Sequence, residues 1–522
     1  MIIRPALVLL AIFAQQGFAT VEPQPSSARI TVANGALEGS VDADGVRSFK
    51  GIPYALAPVG ELRWREPQPA ANWEGARNAT RFGPREMQPP NNWRDMITRS
   101  PSMSEDCLYL NVWTAADSAG AALPVLVYFH GGGLVVGDGS ELRYDGASMA
   151  RRGIVVVTIN YRLGIFGFFS HPALTQESPH RASGNYGHLD QVAALRWVQQ
   201  NIAAFGGDPR RVTIDGQSAG SSSVSAMMAT PLAKGLFSGA IGESGSILGN
   251  PEKLTLSQAE AQGVAFAAKV GAASLSDLRK IPADRLLDLS KDLALARRTL
   301  TDGYLFPEAP EEIFFTGRQA DVPLMAGWNS AEMQTTQVLG NRPSTPGNFA
   351  AAVRGLYGAN AEKILALYPA RTDAEALQSA EDLASDRSIG YRTWKWTDMH
   401  AKSGGKPVFR YLYSQENPDE RREGPQPALG ASHSDEIPYV LGNLPIFRVF
   451  DWQPVDLKVS KTVQAYWVNF IKTGNPNGPG LPNWTWMQGS IPKVMVLSDE
   501  PHLIPEPNLE RYTFLDSLQN ER

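Results

Sequence analysis

Arg211-Val212-Thr213-Ile214-Asp215-Gly216-Gln217-Ser218-Ala219-Gly220 is the stretch on which the reading of this 522-residue chain turns. A short β-branched run followed at once by a serine between two glycines reads as a strand, a tight turn and the start of a helix. In such a turn the serine hydroxyl stands clear of the backbone at the sheet edge, and the glycines remove Cβ atoms that would clash. The small residues that follow, Ser221 to Ser223, let the helix lie close to the sheet. The five-residue pattern alone is a weak signal, because Gly and Ser are common in any chain. Here it occurs once, and directly after a strand-like run.

A second segment supplies its complement. Leu123 to Phe129 is another strand-like run, and it leads into His130-Gly131-Gly132-Gly133. A glycine triplet after a buried strand leaves backbone N–H groups free to point into a cavity. Acyl transfer needs such donors where a tetrahedral oxyanion forms. Together the two segments describe a nucleophile elbow facing an oxyanion loop, the arrangement of an α/β-hydrolase.

Further motifs carry a family resemblance. They include Phe49-Lys50-Gly51-Ile52-Pro53-Tyr54-Ala55, Leu62-Arg63-Trp64 and Ser104-Glu105-Asp106-Cys107-Leu108-Tyr109-Leu110-Asn111-Val112-Trp113. Asn160-Tyr161-Arg162-Leu163-Gly164, Gly184-Asn185-Tyr186-Gly187 and Ala203 to Pro209 continue the series. With these the chain resembles the type B carboxylesterase family over roughly residues 29 to 515. The resemblance implies one α/β domain over residues 20–522. Its large, mostly parallel central sheet would be flanked by helices, with a small N-terminal hairpin and helical insertions over the catalytic face. Sequence periodicity puts those insertions near 252–300 and 346–402. Their Trp394 and Trp396 are candidates for pocket lining, although aromatic residues at helical spacing are more often core.

A serine hydroxyl at neutral pH needs a base, and the base needs an orienting carboxylate. In this fold the chain order is Ser, acid, His. Of seven histidines, only His400, His433 and His502 follow Ser218. His433 lies in a polar loop-like stretch after the strand-like Phe409–Tyr413, in a Gly-Ala-x-His…Ile-Pro-Tyr-Val context that matches the family's catalytic histidine. His400 and His502 read as solvated. Among the acids, Glu332 follows the strand-like Val322–Trp328 and matches the family's triad acid. Ala331 and Met333 replace an Asp and a Gly there, which leaves the local turn open. Asp435 is too near His433 in sequence to orient its ring, and Asp302 and Asp321 follow no strand. The expected triad is therefore Ser218, Glu332 and His433. The expected oxyanion hole is formed by the N–H groups of Gly132, Gly133 and Ala219. Gln217 and Leu134 stand where the family often has Glu and an aromatic, so they bear on the pocket.

Composition narrows the classes. Net charge is −5 with no basic stripe, which argues against nucleic acid and gives no polybasic handle for anionic membranes. The start, with Arg4 and the apolar run Ala6–Ala14, reads as a signal peptide ending at Gly17-Phe18-Ala19 and so predicts export. No segment is long and apolar enough to span a bilayer. Cys107 is the sole cysteine, so no disulfide forms within the chain. The family usually pairs that cysteine with one about twenty residues upstream, where Glu86 stands here. Neither a metal nor an organic cofactor is expected, since no His spacing suits a metal. The partner is a small carboxylic ester; an amide or lactone hydrolase, or a non-catalytic binding relative, are the alternatives. The oligomeric state is left open.

Overall fold

The β-branched runs pair in parallel, as segments buried on both faces do. In the computed structural model, residues 27–91, 93, 95–250, 254–291, 293, 299–418, 429–489 and 492–520 are described. The expected signal peptide, residues 1–19, lies outside them. Thirteen strands form one sheet among the described residues. They are β1 (Ser27–Val32), β2 (Gly35–Val41), β3 (Arg47–Pro53), β4 (Ala76–Asn78), β5 (Tyr109–Thr114), β6 (Leu123–Phe129) and β7 (Val155–Ile159). There follow β8 (Gly207–Gly216), β9 (Gly239–Glu243), β10 (Leu324–Asn329), β11 (Val408–Tyr413), β12 (Lys493–Leu497) and β13 (His502–Pro505).

The order is β1-β2-β3-β5-β7-β6-β8-β9-β10-β11-β12-β13, with β4 beside β2. The run from β7 to β12 is parallel throughout, and antiparallel pairs close both ends. From β6 the chain goes outward to β7 and then returns to place β8 on the opposite side of β6. That reversal leaves a crevice at the carboxyl ends of β6 and β8, where ligands bind in open α/β sheets. The oxyanion loop and the elbow are the segments that leave those two strand ends.

Side-chain alternation along β6 sends its residues into two of the three core clusters among the described residues. Val125, Val127 and Phe129 of β6 enter one cluster with Val192, Leu195 and Val198 of the helix Tyr186–Asn201. Leu126 and Tyr128 enter the other, against Val463, Trp467 and Phe470 of the helix Pro454–Thr473. The latter helix ends at Gly474, with φ +73°, as a left-handed cap.

The expected N-terminal hairpin is formed by β2 and β3, and β1, turning back at Ala33-Asn34, extends it to a three-stranded meander. Asp42 makes the second turn by accepting the N–H of Asp44 and of Val46. Through β3 and β5 the meander joins the main sheet. The two expected insertions contain the helices Leu256–Lys269, Leu275–Lys280 and Ala283–Leu289, then Pro346–Tyr357, Ala361–Leu367, Asp373–Ser385 and Tyr391–Ser403. Trp394 and Trp396 are buried core, not pocket lining. His400 is not solvated: it is fully buried, with Nε2 2.8 Å from the Val322 carbonyl.

Candidate active site

Ser218 follows β8 with φ +57° and ψ −118°. A residue with a side chain is held in such a conformation at a cost of about 1–3 kcal/mol. The surrounding bonds over-determine it. Its N–H donates to the Glu243 carbonyl (2.7 Å), and its carbonyl accepts from the Ser222 N–H (2.9 Å). The flanking glycines are there because nothing larger fits. A Cβ on Gly220 would lie 2.0 Å from the Phe129 carbonyl oxygen, and one on Gly216 would lie 2.6 Å from the Gly220 carbonyl carbon. The elbow is thus pressed against the end of β6.

The other two side chains arrive from further along the same sheet edge. Glu332 lies three residues beyond β10 and is buried. Its Oε1 accepts the Asn329 N–H at 2.6 Å, closing the turn. Ala331 does not disturb that turn: its N–H donates to the Ala431 carbonyl, which ties the turn to the loop carrying His433. The N–H of Met333 donates to Ser385 Oγ. His433 Nδ1 is 2.5 Å from Glu332 Oε2, and its Nε2 is 2.9 Å from Ser218 Oγ. A carboxylate only accepts, so Nδ1 carries the hydrogen and the Nε2 lone pair faces the hydroxyl. Burial alone would lower the His433 pKa; the Glu332 carboxylate outweighs it, so the imidazole sits above its ordinary value.

Across the crevice, Gly132 and Gly133 turn the chain at φ +101° and +65°. A Cβ on Gly132 would meet the Val136 carbonyl oxygen at 2.1 Å. Among the described residues, the N–H groups of Gly132, Gly133 and Ala219 have no protein acceptor. Ala219 opens the helix Ala219–Ala229, so its N–H has no carbonyl one turn back to meet. Ser218, Ala219, Gly133 and Leu134 share a cavity of about 510 Å³. Leu254, Thr255 and Leu300 form one wall from the first insertion; Ser388, Ile389 and Arg392 form another from the second. Ser388 and Ile389 belong to a π-helical turn, Asp386–Gly390, that interrupts two helices.

Sequence reasoning named Gln217 and Asp435 without placing them, and it missed Glu436. Gln217 is buried with Nε2 3.4 Å from His433 Nε2. Glu436 is fully buried, accepts from Asn329 Nδ2 at 2.5 Å, and is pushed up to about 7 by burial and then by the Glu332 charge. Asp435, set aside as the triad acid, instead shapes the loop by accepting the Ser432 N–H. No local pattern marks Glu436 over Asp435; only the burial of one does. Among the described residues, no group of His, Cys, Asp or Glu is arranged to hold a metal, and no helix is long and apolar enough to cross a membrane.

Residues 26–515 match the carboxylesterase family model. The chain belongs to the carboxylesterase family. It is 34% identical to the para-nitrobenzyl esterase of Bacillus subtilis (strain 168), over 92% of this chain and 97% of that one. It is 36% identical to the fumonisin B1 esterase of Sphingopyxis macrogoltabida, over 86% and 83%. It is 37% identical to liver carboxylesterase 1 of Oryctolagus cuniculus, over 86% and 85%. A solved PNB esterase superposes with a TM-score of 0.79 at 33% identity, covering 93% of this chain and 99% of that one. This carboxylesterase is therefore an α/β-hydrolase that acts on carboxylic ester bonds.

Proposed function

We propose that Ser218 is the nucleophile, His433 the general base and Glu332 the residue that orients it. The hydrogen-bonded chain Glu332–His433–Ser218, assembled from three separate strand ends, carries this reading. His433 Nε2 takes the Ser218 proton as Oγ attacks the ester carbonyl. The N–H groups of Gly132, Gly133 and Ala219 receive the oxyanion. The alcohol leaves with the proton from His433, and an acyl-Ser218 ester remains. Water, deprotonated by the same imidazole, then attacks the acyl carbon and releases the acid and free Ser218. No step calls on a metal or an organic cofactor.

The 510 Å³ cavity falls in the range that encloses small-molecule ligands, so the acyl and alcohol groups bind between the two insertions. Residues 20–522 form one α/β-hydrolase domain, and residues 1–19 direct export and are removed. Amino-terminal sequencing of the mature protein, beginning at Thr20, checks the last point.

The decisive experiment is Ser218→Ala. It should lower kcat for p-nitrophenyl acetate by about 10⁴–10⁶-fold with the fold intact. Stoichiometric labelling by an organophosphate should vanish with it. An unchanged hydrolysis rate would overturn the assignment.

A further inference from the structure

Glu86 occupies the place where the family resemblance implies a cysteine, and Cys107 is left without a disulfide partner. Glu86 is 1% exposed, as is His130, the first residue of the oxyanion loop. Glu86 Oε1 accepts the Tyr161 N–H at 2.7 Å and lies 3.6 Å from His130 Nε2, in ion-pair range but beyond hydrogen-bond reach. On the far side of the ring, Nδ1 lies 2.9 Å from the Gly131 carbonyl. That carbonyl can only accept, so Nδ1 holds its hydrogen and Nε2 is left to face the carboxyl group. Tyr161 completes the clamp: its ring stacks on the imidazole at 4.4 Å, and its hydroxyl donates to the His130 carbonyl at 2.6 Å. Gln88, two residues on, pairs with both backbone groups of Gly137, where the loop turns away.

The arrangement needs a proton. With a hydrogen on Nδ1, a neutral His130 presents a lone pair to Glu86. If Glu86 is ionised at the same time, lone pair and carboxylate repel. One added proton, on either group, makes the contact attractive. The pair therefore titrates as a unit.

Resting on the oxyanion-hole reading above, we propose that Glu86 is a positioning residue for catalysis: the proton carried by the Glu86–His130 pair makes their contact attractive and holds Gly131–Gly133 in register with Ser218. A titratable side chain here stands where the resemblance implies a disulfide cysteine. Loss of that proton at alkaline pH releases the loop and lowers kcat, while the substrate cavity between the insertions keeps its shape.

The titration fits this view. Burial, acting against the neighbouring imidazole, pushes Glu86 up to about 7. Burial lowers His130, but Glu86 outweighs it and the imidazole rises. Other groups face the pair. Asp138 and Glu141 come from the loop, and Glu141 is bonded to Arg143. Tyr54, Cys107 and Tyr161 are pushed far up by burial and stay neutral. Arg63 and Arg162, which line a small cavity with Glu86, are bonded to Glu105 and Asp190.

The test compares kcat and KM for p-nitrophenyl acetate from pH 6 to 10 in the full chain, Glu86→Gln and Glu86→Ala. Glutamine can donate to Nε2 and accept from Tyr161 at every pH. Glu86→Gln should lower kcat at pH 7 about three- to tenfold, leave KM within twofold, and lack the alkaline fall in kcat expected of the full chain. Glu86→Ala should lower kcat about 10–100-fold across the range, again with little change in KM. If the alanine variant does not fold, the glutamine profile decides alone. A Glu86→Gln profile that superimposes on that of the full chain would overturn the proposal. An inactive Ser218→Ala beside such a profile would leave the nucleophile assignment standing and sink only this inference.

Discussion

At the scale of single residues, the site is three side chains and the charges that tune them. Glu332 holds the His433 tautomer through Nδ1 and raises its pKa by its charge. Glu332→Gln keeps the shape and removes the charge, so kcat should fall by about 10²–10⁴-fold with little change in KM, read in steady-state kinetics. The base must be unprotonated to act, so activity should rise with pH through the raised His433 value. The midpoint of the acid limb of kcat/KM should lie above the ordinary imidazole value in the native enzyme and move down in Glu332→Gln. A limb at the same pH in both proteins would refute that cause. Ser218 and His433 were legible as candidates because each sits in a long, distinctive context. Glu332 was legible as the carboxylate after a strand, although its neighbours Ala331 and Met333 depart from the family pattern. Glu436 was not legible, since what distinguishes it from Asp435 is burial.

At the scale of elements, close contact between the elbow and β6 sets the site. Gly220 lets the helix Ala219–Ala229 touch the end of β6, where even a methyl group finds 2.0 Å of room. Gly220→Ala should force helix and strand apart and destabilise the protein by about 3 kcal/mol, read as a lower denaturant midpoint. A midpoint equal to that of the native protein would contradict the packing. The strands β5 to β8, β10 and β11 announce themselves through β-branched and aromatic runs. The strand β9, Gly239-Ala240-Ile241-Gly242-Glu243, does not: three small residues give no β signal, and β8 and β10 on either side impose the extended form. At the far edge β13 is four residues long and ends in proline, too short for alternation to show. Trp394 and Trp396 lie on a helix that the sequence read correctly, but helical spacing does not say which face meets the cavity.

At the scale of the molecule, folding buries carboxyl groups beneath the elbow. Asp215 and Glu243 sit on the adjacent strands β8 and β9, both fully buried. Burial first, moderated by the Gly216 N–H that Asp215 Oδ1 accepts at 2.7 Å, pushes Asp215 to about 7. Burial, then the Asp215 charge, holds Glu243 well above the carboxylate range. Both shifts are upward, so the folded protein keeps protons that the unfolded chain has lost above about pH 4.5. Stability from this pair is complete below that pH and declines as pH rises through about 7. Asp215→Asn can still accept from the Gly216 N–H and carries no titrating proton, so it should flatten the decline. Between pH 6 and 9 its Tm should drop by about 2 °C less than the native drop, read by calorimetry. Equal drops would exclude the pair as the source.

The sequence by itself determined the family, the strand-like runs that flank the site and the candidates for nucleophile, acid and base. It could do so because each rests on local rules: a glycine-flanked serine after a strand, a glycine triplet after another, and polar loops at strand ends. Only the tertiary structure decided which backbone groups face the crevice, which helices wall it, and that Glu86 meets His130 and Asp215 meets Glu243. Those outcomes depend on burial and on contacts between residues tens to hundreds of positions apart, and no periodicity along the chain encodes them.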